Sequence, residues 1–149
     1  MAKEMRLSVS AVIERDNEYL FVKNEKSGLW SLASGKIEFR ESPEHALVRE
    51  CRQEIGTYVD VNNLVGVYQF VSMNKNWITD FVYACTLKGE PRIVRPREIS
   101  EIAWLSLDDL HKLRIKGELR SGKAQTNPIE DYISGKSYPL GIIRKSRNR

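Results

Sequence analysis

The chain has 149 residues, 41% of them hydrophobic and 30% charged, with 24 Lys and Arg against 20 Asp and Glu for a formal net charge of +4. That length can bury a proper core, so one domain over residues 1–149 is expected, and the composition excludes a low-complexity chain. No apolar run approaches the length needed to cross a bilayer, which excludes a membrane-spanning class.

In chain order, Leu7, Val9, Ala11 and Ile13 alternate with polar residues, Asp16-Asn17 marks a turn, and Tyr19–Lys23 returns, predicting a β-hairpin. Trp30–Leu32 predicts a third strand running into Ala33-Ser34-Gly35. From Ser42 to Gly56 one capped helix is predicted. Ser42 suits the N-cap, Pro43 the first helical position, Glu44 the positive dipole end and Gly56 the left-handed C-terminal position. Leu64–Val71 and Ile78–Leu87 predict further strands, and Gly89-Glu90-Pro91 a turn. An acidic segment around Glu98 and Glu101 precedes Trp104-Leu105, and helices are predicted over Leu107–Leu113 and Pro128–Ser134. Mixed strands with helices on both sides predict an α/β/α sandwich built on a mixed sheet.

The central helix carries the chemistry. Leu47, Cys51 and Ile55 form an apolar stripe at four-residue spacing, while Ala46, Glu50, Gln53 and Glu54 share another side. Glu50 and Glu54, at i and i+4, project side by side and repel one another unless a cation sits between them. Hard divalent ions, Mg2+ first and Mn2+ as the alternative, take oxygen ligands from one or two carboxylates and share the rest with water and substrate phosphates. Lys23, Lys36, Arg40 and Arg120 are candidate phosphate-binding cations.

Gly35, Glu41, Arg49, Glu50, Glu54 and Gly56 stand at the spacings of the Nudix box, and the segment 35–57 resembles it. Gln53 replaces one box acid, keeping an oxygen that could ligate metal without its charge; Ala33-Ser34 stands where Pro-Gly is usual, and Arg40 where Gly is common. The resemblance implies a Nudix-type fold and hydrolysis of a phosphoanhydride bond. It further implies that the Gly35 carbonyl ligates metal with Glu50 and Glu54, that Glu41 pairs with Arg49 to lock the loop onto the helix, and that Glu98, with Glu101 as the neighbouring candidate, can complete the metal site. Family members differ on which glutamate takes the proton from water. The stretch from Arg120-Ser121 to Tyr138-Pro139-Leu140 is similar to the tail of NudJ-like Nudix phosphatases. Those enzymes act on nucleoside di- and triphosphates and on a thiamine-precursor pyrophosphate. The proline and tyrosine that mark ADP-ribose and dinucleoside-polyphosphate hydrolases are missing around Ser72–Lys75, which weighs against those substrates.

Tyr68, Phe70, Trp77 and Tyr132 are read as core, with stacking on a nucleobase as the alternative. Cys51 and Cys85 are expected to be buried reduced thiols, and residues 1–6 lack a signal-peptide run, so a cytoplasmic location is expected. Residues 144–149 form a basic end read as a solvated tail; nucleic acid is not an expected partner, and a homodimer is left open. Alternatives to a hydrolase of small phosphoanhydrides are a nucleotide-sensing domain, for which Gln53 speaks, and RNA 5′-end processing, for which the tail speaks.

Overall fold

A computed structural model of the chain describes residues 3–146. Its elements run β1 (Met5–Val12), β2 (Glu14–Arg15), β3 (Glu18–Asn24), β4 (Trp30–Lys36), α1 (Pro43–Ile55), β5 (Val59–Val71), β6 (Trp77–Leu87), β7 (Ile99–Leu105), α2 (Leu107–Ile115) and α3 (Lys123–Ile133), then a short 3-10 turn at Leu140–Ile142. The strands form one mixed sheet in the order β2-β3-β4-β1-β6-β5, with β7 pairing to β3 off that path. β1 lies inside the sheet, antiparallel to β4 and parallel to β6. Because consecutive strand residues face opposite sides, each strand feeds two cores. On one face Ala46, Leu47, Cys51 and Ile55 of α1 pack on Val9, Ala11, Leu20 and Val22. On the other Leu110 of α2 and Ile129 of α3 pack on Val12, Phe21, Leu32 and Val82. The expected α/β/α sandwich is present.

The opening hairpin turns where expected: Asp16 and Asn17 take φ of 51° and 63°, the left-handed conformation that short Asp and Asn side chains tolerate. α1 begins and ends as the sequence predicts. The Ser42 hydroxyl accepts from the His45 N–H at 3.2 Å, and Gly56 closes the helix at φ 69°. β5 starts at Val59, five residues before the predicted Leu64, because register shifts at Val61/Asn63 and Leu64/Gly66 let a polar, irregular stretch stay paired with β6. α2 runs to Ile115, two residues beyond the predicted end.

α3 differs more. It starts at Lys123, so Pro128 lies inside the helix and not at its first position. The start carries no side-chain cap; Gly122 precedes it at φ 52°. Pro128 forgoes one helical hydrogen bond, and its ring is buried in compensation. Beyond α3, the Tyr138 N–H donates to the Leu64 carbonyl at 2.8 Å and the Leu64 N–H to the Tyr138 carbonyl at 2.9 Å, tying the Tyr138-Pro139-Leu140 segment to β5. Cys51 and Cys85 are both buried and unbonded. No helix of the described residues is long and apolar enough to cross a membrane. Of the basic end, Arg147, Asn148 and Arg149 lie outside the described residues, as do Met1 and Ala2 at the other end.

Candidate active site

Arg49, at the midpoint of α1, organises the loop that precedes its own helix. Its guanidinium donates from Nε to Glu41 Oε2 at 2.8 Å, from Nη2 to Glu41 Oε1 at 2.9 Å, and from Nη2 to the Lys36 carbonyl at 3.0 Å. The remaining nitrogen, Nη1, donates to Glu50 Oε1 at 2.6 Å. One planar fork thus ties the end of β4, the 37–42 loop and the helix together. The hydrogen bonds from Arg49 hold the Glu41 carboxyl well below the usual range, at about 2, although burial works against them. Glu41 also accepts the Glu38 N–H at 3.0 Å.

Gly35, at the end of β4, abuts the helix. A Cβ there would land on the side chain of Glu50, so only glycine lets strand and carboxylate approach this closely. One turn on, the Glu54 carboxyl accepts the Ser34 N–H at 2.9 Å. Burial pushes its pKa up to about 8; the Ser34 N–H opposes this, Glu50 adds to it, Arg120 lowers it and Glu98 raises it. Glu54 is therefore a carboxyl whose charged form lacks a sufficient counter-charge.

A cavity of about 280 Å³ opens beside these residues, and Gly35, Lys36, Glu50, Glu54 and Arg120 all line it. Arg120 arrives there because its N–H donates to the Trp30 carbonyl at 2.9 Å and its own carbonyl accepts from Gln125 Nε2 at 3.1 Å. Gln125 in turn accepts the Leu32 N–H at 2.9 Å, bracing the segment against β4.

Four expected residues stand elsewhere. Gln53 lines a separate hollow with His45, Arg49, Arg52, Tyr58 and Arg95, because at i+4 from Arg49 it follows that residue's face of α1 and turns away from Glu54. Arg40 is exposed at φ 64° and borders a hollow with Phe39, Glu41, Ser42 and Lys145. A left-handed conformation at this position accounts for the fit of glycine there. Glu98 is exposed, 3.6 Å from Arg95, and does not line the cavity, although its charge is felt at Glu54. Lys23 lies 3.8 Å from Glu101 and 5.9 Å from the centre of the Trp30 ring, also outside the cavity.

Among the four aromatic candidates, Phe70 alone lines the cavity. Tyr68 donates to Asp131 at 2.7 Å, Tyr132 packs edge-on to Tyr19, and Trp77 is 42% exposed. Asp80, Ser8 and Ser10 also line the cavity and escaped the sequence reading. The available signal was the one acid within the largely apolar β6.

Among the described residues no three His, Cys, Asp or Glu side chains gather as a metal-binding group. A hard divalent cation nevertheless fits the donors present. Two carboxylates that repel one another lie along the end of β4, Glu50 against Gly35 and Glu54 on the Ser34 N–H, and all donors are oxygen; such ions routinely take their remaining ligands from water and phosphate.

The family described as NUDIX domain matches residues 4–125. The chain is 37% identical over 135 residues to an ADP-ribose pyrophosphatase of Methanocaldococcus jannaschii, covering 88% of this chain and 75% of that protein. It is 26% identical over 140 residues to phosphatase NudJ of Shigella boydii, covering 92% and 89%. It spans only 66% of a MutT-like protein of Streptomyces ambofaciens and 48% of the CTP pyrophosphohydrolase of Escherichia coli. A solved NUDIX hydrolase from Nitrosomonas europaea superposes with a TM-score of 0.83 at 28% identity, covering 98% of this chain and all of that one.

Proposed function

The chain belongs to the NUDIX family, and on that premise we propose that it hydrolyses a phosphoanhydride bond in a nucleoside di- or triphosphate or a related small pyrophosphate, in a divalent-cation-dependent reaction with Mg2+ as the natural ion. The observation that carries this reading is the convergence of Glu50, Glu54, Gly35, Lys36 and Arg120 on one cavity, with Glu50 packed against Gly35. That arrangement pairs a ligand set for a hard cation with cations for phosphate.

Each residue has a distinct part. Glu50, Glu54 and the Gly35 carbonyl would hold the cation, which when bound neutralises phosphate charge and lowers the pKa of a coordinated water. Glu50 and Glu54 are also the carboxylates within reach to take the proton as water attacks phosphorus. Lys36 and Arg120 bind phosphate oxygens and favour the charge that builds on the leaving group. Arg49 and Glu41 touch no substrate; they fix Glu50 and the end of β4 in place. To Gln53 and Arg40, which border other hollows, this reading assigns no ligand or substrate role.

Relatives named for ADP-ribose, CTP and NudJ phosphatase activity support the class of reaction and leave several substrates open; the pyrophosphate of a thiamine precursor is a further candidate. With an ADP-ribose pyrophosphatase among the relatives, the missing proline near Ser72 does not set the chain apart from that class. Two buried, unbonded cysteines suit a reducing, cytoplasmic setting.

The test is turnover with Mg2+ on a panel of nucleoside di- and triphosphates, sugar nucleotides, dinucleoside polyphosphates and thiamine-type pyrophosphates, reading phosphate and pyrophosphate, beside Glu54→Gln. Metal-dependent turnover lost in the variant supports the proposal. Saturable nucleotide binding without turnover of any substrate would make the chain a sensor domain.

A further inference from the structure

Segments far apart in sequence bring cations to the outer face of α1, opposite the face that packs on the sheet. His45, Arg49 and Arg52 share that outer face at four- and three-residue spacing. Arg95 approaches from the segment between β6 and β7, and Lys145 from beyond the 3-10 turn. Two hollows of about 550 and 360 Å³ result, and because His45 lines both, they form one strip. The first is lined by Arg49, Arg52 and Arg95 and by no carboxylate. The second is lined by Arg40 and Lys145; its two acids, Glu38 and Glu41, lie 3.9 and 2.8 Å from Arg49 and are offset by it. Among the described residues, Arg40, Arg52 and Lys145 have no ion-pair partner.

Aromatic rings are interleaved with these cations. Phe39 is 93% exposed, borders the second hollow and belongs to neither core. Tyr58 is half exposed and lines the first hollow, with the Arg52 guanidinium 4.4 Å from its ring centre. Residues 144–149 contain no aromatic and read from the sequence as a solvated tail, yet folding sets Lys145 in one hollow with Phe39.

We infer that the outer face of α1 binds a single-stranded nucleic acid, its phosphates on Arg95, Arg52, Arg40 and Lys145 and its bases against Tyr58 and Phe39. Phosphates release counterions when they meet such cations, and unpaired bases stack on exposed rings whatever their sequence. A duplex keeps its bases stacked on one another and offers the strip only phosphates. The net charge of +4 favours the approach of a polyanion. None of the strip's residues lines the cavity of Glu50 and Glu54, so this binding is independent of the hydrolase reading.

The test is fluorescence anisotropy of a labelled single strand of about 12 nucleotides, as RNA and as DNA, titrated with the full chain over a range of KCl concentrations. A 5′-hydroxyl end and EDTA leave the strand no phosphoanhydride and the cavity no metal. Binding of either strand is expected to fall with salt at a log–log slope of about −3, from four phosphate contacts at about 0.7 each. The double variant Arg52→Ser, Arg95→Ser should bring the slope to about −1.4. Phe39→Ala should weaken binding about tenfold at an unchanged slope, because it removes stacking and no charge. All three positions are exposed, and thermal melting checks that both variants stay folded. A duplex of equal length should bind more weakly than the single strand. Absence of binding at low salt by both RNA and DNA would overturn the inference. So would a wild-type slope in the double variant, full affinity in Phe39→Ala, or a duplex bound as tightly as the single strand.

Discussion

The Arg49 guanidinium meets the Glu41 carboxylate in a two-pronged pair, at 2.8 and 2.9 Å, and spends its remaining nitrogen on Glu50 at 2.6 Å. Position in α1 thereby becomes position of the Glu50 carboxylate. Glu41 is 9% exposed and Arg49 24%, so the pair is shielded enough to matter for stability.

Glu41→Gln is expected to destabilise the protein by about 2 kcal/mol at pH 7, leaving Arg49 with half of its partner. Because the folded-state pKa is lowered to about 2, the stabilisation is present above the ordinary carboxylate range and is lost as pH falls toward 2. Urea unfolding of both proteins at pH 7 and pH 3 checks this. A gap that does not narrow at pH 3 would show that the charge is not its source.

Glu54 carries the opposite sign. Its folded-state pKa is raised to about 8, so the metal-free protein is fully stabilised below the ordinary carboxylate range and loses stability as pH rises toward 8. Metal-free wild type should therefore melt lower at pH 8.5 than at pH 5.5, by several degrees at about 3 °C per kcal/mol, and Glu54→Gln should show a smaller loss. Mg2+ at pH 8.5 should raise the wild-type Tm and leave the variant nearly unmoved. Equal Mg2+ shifts in both proteins would remove Glu54 from the ligand set.

Gly35→Ala drives a methyl into the Glu50 side chain. The expected cost is about 1–3 kcal/mol in stability, with activity down by about two orders of magnitude, since Glu50 or the strand must move. Gly141→Ala, where an added Cβ meets nothing within 4 Å, is the comparison, with an expected change within about 0.5 kcal/mol. Thermal melts and single-substrate kinetics on both variants decide it.

Arg40 and Arg120 should part company. Arg40 sits at φ 64° outside the cavity, so Arg40→Gly relieves left-handed strain and should stabilise the protein by about 0.5–1 kcal/mol with kcat/KM unchanged. Arg120→Ala should lower kcat/KM by about 10- to 100-fold with little change in Tm. Loss of activity in Arg40→Gly would return that residue to the substrate site.

Signals within one helix or one strand were legible in the chain. Ser42, Pro43 and Gly56 bound α1 because capping is decided by neighbours in sequence, and the same helix sets Glu50 beside Glu54. The hairpin at Asp16-Asn17 was legible for the same reason. The start of α3 was not, since Gly122 offers no side-chain cap and burial of Pro128 offsets its lost hydrogen bond. The hydrogen bonds that seat Arg120 at the cavity join residues some ninety positions apart, and no local pattern announces them.

By itself the sequence determined the box helix, the pairing of acids along it and the alternation that builds a two-faced sheet, all properties of residues a few positions apart. Tertiary structure alone decided that Asp80 lines one cavity with Glu50 and Glu54 while Gln53 and Arg40 border other hollows. The row from Lys36 through Ser8 to Asp80 exists only once β1 has paired with β4 on one side and β6 on the other, and that register is fixed by burial of both sheet faces.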